Sequence, residues 1–204
     1  MPQRSTTLVL GTKNDGKIRE LRRLFDGSSV ELKSLQDFGE IEDVDETGST
    51  FRANAELKAR GFALQTGQLS LADDSGLEVE ALGNAPGVYS ARFAGRHSGY
   101  DEKIGKLLTM LDETGDATRR ARFVCVMALS DHEGRIVHVA EGICTGSIAD
   151  GPRGSGGFGY DPIFVPDGYD ITFGELGDNI KQQISHRARA AKLIIRYLLD
   201  FIAI

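Results

Sequence analysis

The spacing of apolar positions changes several times along the first 80 residues, and each change marks an element. Thr7 to Leu10 is a short β-like run that breaks at Gly11, after which Ile18, Leu21, Leu24 and Phe25 recur at helical spacing as far as Gly27. That pattern predicts strand, loop, helix. Val30, Leu32 and Ser34 alternate as a second strand, followed by an acidic loop carrying Asp37, Glu40, Glu42, Asp43, Asp45 and Glu46. Ser49 or Thr50 then caps a helix from Phe51 to Thr66, closed by Gly67. Leu69 to Ala72 reads as a compact buried strand that ends by delivering Asp73 and Asp74, with Leu77, Val79 and Ala81 as a further strand.

Past a Gly- and Pro-bearing loop, Ile104, Leu107, Leu108 and Leu111 form one stripe of a helix from Tyr100 to Glu113. Arg122 to Leu129 pairs with Ile136 to Ile143 as a hairpin across Asp131-His132-Glu133-Gly134. Ile163 to Val165 forms a short strand after the loop from Gly151 to Pro162, and a final helix runs from Ser185 to Ile202 with Ser185 as its N-cap. Early alternation of strands and helices with a later hairpin predicts an α/β fold, a mixed β-sheet flanked by helices. A chain of 204 residues suits one domain, 1–204, with or without two lobes around a cleft.

Composition narrows the function classes. A formal charge of −6 argues against nucleic acid or an anionic membrane as partner, since both need a basic face. No apolar run approaches the roughly 18 residues of a membrane span or forms a signal peptide. Cys125 and Cys144 lie in β-like apolar runs without CxxC spacing and read as reduced core residues, which points to the cytoplasm.

Candidate chemistry begins at Gly11-Thr12-Lys13-Asn14-Asp15-Gly16-Lys17, a glycine-bounded loop before a helix, where backbone N–H groups, the helix dipole and Lys17 attract phosphate. The spacing fits a P-loop, but Ile18 stands where that motif needs a Ser or Thr hydroxyl for Mg²⁺. The metal must then be held elsewhere, and Glu46 and the Asp73-Asp74 pair offer carboxylates for it. Two adjacent carboxylates after a buried strand repel unless a cation compensates or one turns outward. Lys58, alone on its helix, reads as solvated. In Gly154-Ser155-Gly156-Gly157-Phe158-Gly159-Tyr160-Asp161-Pro162, glycines surround two aromatics and an acid, so that a planar ligand could stack there; the alternative is a glycine loop with aromatics plugging the core. His186 and Arg187 start the last helix, where cations gain nothing from the dipole, and a bound anionic or carbonyl-bearing ligand would remove that anomaly. His97, His132 and His138 have no partner spacing.

Five blocks together resemble the inosine triphosphate pyrophosphatase family, the house-cleaning dITP/XTP pyrophosphatases, over nearly the whole chain. They are Thr12 to Lys17 with Glu20; Glu46 to Phe51 with Asn54, Ala55 and Lys58; Ala72 to Leu77 running into Pro86 to Arg92; Gly157 to Pro162; and Ser185-His186-Arg187. The resemblance implies an elongated mixed α/β fold with two lobes around a central cleft, a homodimer, Mg²⁺ as cofactor, and hydrolysis of dITP, ITP and XTP to monophosphate and pyrophosphate. It implies that Thr12, Asn14 and Lys17 hold the triphosphate within a contacting loop that includes Lys13, Asp15 and Gly16, with Lys58 as a further substrate contact. Glu46 and Asp74 would carry the metal, and Asp74 would accept the proton of the attacking water. Ser75, Phe158, Gly159, Tyr160, Asp161, Lys181, His186 and Arg187 would contact the nucleotide, Phe158 by stacking on the base. Two departures stand out: Ala53 replaces a Glu common in the second block, and Asn84 replaces a Gly before Ala85-Pro86-Gly87. The rival readings are a P-loop-like NTPase releasing orthophosphate and a nucleotide sensor that binds without cutting.

Overall fold

A computed structural model describes residues 6–95 and 97–202. The described residues form one mixed sheet of seven strands: β1 (Thr6–Leu10), β2 (Val30–Ser34), β3 (Leu69–Val79), β4 (Ala85–Pro86), β5 (Arg120–Ser130), β6 (Ile136–Ile148) and β7 (Phe164–Pro166). The order is β2-β1-β3-β5-β6-β7, with β4 pairing off that path to β3. Strand β1 is parallel to both β2 and β3, whereas β4 and β7 run antiparallel to β3 and β6. Helices are α1 (Asp15–Leu24), α2 (Phe51–Thr66), α3 (Tyr100–Thr114), α4 (Asp178–Ile184) and α5 (His186–Ile202). The expected α/β architecture is therefore present.

The chain divides into two compact units: Met1–Asp74, Cys125–Gly142 and Arg187–Ile204 in the first, Ser75–Val124 and Ile143–His186 in the second. In the first unit the pleat of β1 sorts its residues onto two cores. Leu8 and Leu10 join Leu21, Leu71, Met127, Ala191 and Ile194 on the face covered by α1 and α5. Val9 points the other way, to Leu35 and to Phe62 of α2. The second unit has its own core, in which Leu77, Val79, Leu107, Leu111, Phe123, Phe164 and Phe173 are buried together. Both cysteines are buried, and neither forms a disulfide. No helix among the described residues is long and apolar enough to cross a membrane.

Helix α2 has the bounds its sequence predicts. The Thr50 hydroxyl accepts the Ala53 N–H, and Gly67 closes the helix at φ +65° in the left-handed region. Elsewhere the expectations need correction. The two strands read at 69–72 and 77–81 are one strand, β3, so Asp73 and Asp74 lie within it rather than at its end, and Ala81 belongs to a 3₁₀ turn, Glu80–Leu82. Asp73 and Asp74 can interrupt the apolar run there because cations from neighbouring elements meet them, Lys17 and Arg187 at Asp73 and Lys58 at Asp74. The short strand β4 and helix α4 carry too little periodicity to be read. Asn84, which stands where a Gly is common, adopts φ +67°, a conformation that Asn tolerates better than most side chains.

Candidate active site

Consecutive residues of a strand face opposite sides of the sheet, and this separates the two aspartates. Asp73, 2% exposed, shares the side of Leu71; Lys17 of α1 approaches it at 3.0 Å and Arg187 of α5 at 3.3 Å. Arg187 is itself buried, and its other terminal nitrogen reaches Glu20 of α1 at 2.5 Å. Asp74 turns toward α2, where Lys58 Nζ lies 3.2 Å from its Oδ1 and Asn54 Nδ2 donates to its Oδ2 at 3.1 Å. The repulsion expected of adjacent carboxylates is thus relieved by separate cations on separate faces.

Burial opposes ionisation of Asp73, but the charges of Lys17, Arg187 and Lys58 overturn it and hold the carboxyl well below the usual range. For Asp74 burial wins, assisted by the Glu46 charge, and its pKa is raised despite Lys58 and Lys17. Burial disfavours the charged form of Lys58, yet Asp74, Asp73 and Glu46 together push its pKa above the ordinary lysine value. Two neighbouring carboxyls in one strand are therefore driven in opposite directions.

Glu46 comes to this site by a route not legible as local pattern. The acidic stretch is laid back along α2: the Glu42 N–H donates to Gln65 Oε1 at 2.8 Å, Val44 lies against Gly61, Lys58 Nζ meets Glu46 Oε1 at 2.7 Å, and the Gly48 N–H donates to Asn54 Oδ1 at 2.8 Å. Partners ascend along the loop as they descend along the helix. Gly61 makes room for this, since a Cβ there would collide with the Val44 side chain. Phe38, Ile41 and Val44 pack onto the Val9–Leu35–Phe62 core and pin the segment. Lys58 is consequently buried between two carboxylates, not solvated as a lone helical Lys would be.

In the loop before α1, the Asn14 side chain caps the helix by accepting the Lys17 N–H at 3.1 Å, and Thr12 Oγ1 accepts the Asn14 N–H at 3.2 Å. Lys13 turns to the acidic segment, 2.6 Å from Asp43. Asp15 is exposed and Gly16 buried. Ile18 packs against the first unit's core, so no hydroxyl stands where a P-loop would need one.

The remaining expected contacts belong to the second unit. Asp161, 2% exposed, accepts the Phe158 N–H at 2.7 Å and Lys181 Nζ at 2.5 Å. The same ammonium lies 5.0 Å from the centre of the half-buried Phe158 ring. Tyr160 is buried; its hydroxyl donates to the Ser90 carbonyl at 3.0 Å and its ring meets Tyr100 edge-on. His186 stacks on Phe123 with ring centres 4.6 Å apart. Ser75 and Gly159 are half-buried.

Glu20 and Asn54, which carry no role in the sequence pattern, also support the site, and Asp73, which the sequence offers as a metal carboxylate, is instead paired with Lys17 and Arg187. Asn54 lies one helical turn before Lys58, a spacing that places both on one face and could have signalled it. Glu20 and Arg187 are 167 positions apart, and no local signal pairs them. Arg187 at a helix start needs no external anion, because Glu20 and Asp73 supply the charge from within the protein.

The fold and these clusters define a class: a mixed α/β protein with a lysine-bearing loop at a helix N-terminus beside a buried carboxylate–ammonium network. A model of the Ham1 family matches residues 8–197, and the chain belongs to that family. It is 49% identical over 183 residues to a protein of Geobacillus kaustophilus named dITP/XTP pyrophosphatase, covering 90% of this chain and 89% of that one. A protein of the same name from Gloeobacter violaceus is 49% identical over 189 residues, 92% of each chain. The solved structure of a HAM1 protein from Coxiella burnetii superposes with a TM-score of 0.88 at 40% identity, covering 96% of this chain and 99% of that one.

Proposed function

We propose that the protein hydrolyses aberrant purine nucleoside triphosphates, dITP, ITP and XTP, to the monophosphate and pyrophosphate. The observation that carries this reading is the network Glu46–Lys58–Asp74 beside Asp73–Lys17, acids and cations gathered behind the α1 N-terminus. The relatives' names supply the substrate class.

The triphosphate is assigned to Lys17, Lys58 and the main-chain N–H groups of the Thr12 to Lys17 loop, with the Asp15 side chain outside that set. Glu46 and Asp74 fit a divalent cation, because their oxygens already converge on one ammonium and both are hard carboxylate donors. No group of three or more metal-capable side chains occurs among the described residues, so water and phosphate oxygens would complete the shell, as Mg²⁺ prefers. When bound, Mg²⁺ supplies charge neutralisation on the phosphates. Asp74 then accepts the proton of the attacking water, a role that its raised pKa suits and that is typically worth about 10² to 10⁴-fold. Lys17 neutralises charge on the leaving pyrophosphate, held in place by Asp73.

The base is assigned, from the family resemblance, to Phe158 as stacking surface. A 6-oxo purine presents an acceptor where adenine presents a donor, so a donor facing it rejects adenine strongly. Both terminal nitrogens of Arg187 already serve carboxylates, which favours His186 over Arg187 as the reader of the 6-oxo group. Mg²⁺ dependence, a cytoplasmic location and a homodimer, without nucleic acid or membrane as partner, complete the reading; light scattering on the purified chain would contradict the dimer by returning a monomer mass.

Product analysis is the central test. With ITP and Mg²⁺ the expected products are IMP and pyrophosphate, whereas IDP and orthophosphate would indicate the P-loop-like reaction and no turnover a sensor. Asp74→Asn is expected to abolish pyrophosphate release while nucleotide binding stays measurable, and wild-type rates in that variant would remove Asp74 from the mechanism.

A further inference from the structure

We propose that Lys58 is a built-in counter-ion holding the cation position between Glu46 and Asp74, so that the protein binds free divalent metal poorly and takes its metal together with the triphosphate. The inference rests on the assignment of Glu46 and Asp74 as the metal carboxylates.

Geometry carries the argument. The Lys58 ammonium lies 2.7 Å from Glu46 Oε1 and 3.2 Å from Asp74 Oδ1, bridging the pair where a shared cation would stand. Its stem is buried on α2, and the acid segment that brings Glu46 is laid along the same helix from Glu42 to Gly48. The second oxygen of Asp74 is bonded to Asn54, which is fixed in turn by the Gly48 N–H. A divalent ion arriving alone would have to share two carboxylates with an ammonium a few ångströms away, and like charges at that range repel strongly in a partly buried site. Pushing Lys58 aside without a new partner would strand a buried charge, which is also costly.

A triphosphate removes both obstacles. Its oxygens offer the ammonium new anionic partners and complete the metal's shell, and the flexible four-carbon stem lets the ammonium move a short way while the helix stays put. Lys58 thereby acts twice, as a placeholder before binding and as a phosphate ligand afterwards.

Calorimetric titration of the nucleotide-free full chain with Mn²⁺ alone tests this. Lys58→Met should bind Mn²⁺ on the order of tenfold more tightly than wild type, because one competing charge is gone. Lys58→Gln should do the same and covers the case in which the Met variant does not fold. Lys58→Arg, which keeps the charge, should remain weak, and adding Asp74→Asn to the neutral variants should abolish the gain. A wild type that binds Mn²⁺ as tightly as the neutral variants, or an arginine variant that matches them, overturns the proposal. Pyrophosphate release by wild type that needs no divalent ion would instead overturn the metal assignment itself, so the two failures are distinguishable.

Discussion

Asp73 and Asp74 show how much one residue step decides. Same side chain, same strand, adjacent numbers: one carboxyl is held ionised by Lys17 and Arg187, the other has its pKa raised by burial and the Glu46 charge. The lowered group suits a structural anion and the raised one suits proton transfer. Asp73→Asn should cost about 3 to 5 kcal/mol of stability near neutral pH, because it leaves Lys17 and the buried Arg187 short of an anion. Since the folded pKa of Asp73 lies below its unfolded value, this contribution is complete above the ordinary carboxylate range and fades as pH falls toward the folded value. Thermal melts of both proteins should therefore differ by a nearly constant amount from about pH 7 down to about pH 5 and begin to draw together only below about pH 4. An offset that persists undiminished as the pH falls well below about 4 would show that shape rather than charge is at stake.

At the scale of elements, the turn from Gly157 to Asp161 depends on glycine, most tightly at Gly157. Gly157 has φ +72°, and a Cβ there would collide with the Asp161 carboxylate that holds both the Phe158 N–H and Lys181. Gly157→Ala should therefore cost on the order of 1 to 3 kcal/mol, seen as a lower melting temperature. If Phe158 meets the base as proposed, the KM for dITP should rise more than kcat falls. An unchanged KM in a destabilised protein would confine the turn to a structural role. Helix α2 makes the complementary case, since its cap, its left-handed Gly67 and its 16-residue span all follow from local chemistry. What it positions does not, because Lys58 acquires its role only when a loop from earlier in the chain lies down beside it.

Across the whole molecule, the sequence alone determined what depends on near neighbours. Strand β1, helices α1 and α2, the β5–β6 hairpin and the phosphate-attracting loop follow from period, caps and glycines, because each is set by interactions within a few residues. The five spaced blocks carried the family resemblance that the matching family model bears out. Only tertiary structure decided that β3 runs unbroken through its two aspartates, that Lys58 is buried between Glu46 and Asp74, and that Arg187 is neutralised by Glu20 and Asp73. The physical reason is common to all three. A buried charge is tolerable only beside its opposite, and in this chain the opposite charge comes from distant sequence, where no local pattern of polar and apolar residues can announce it.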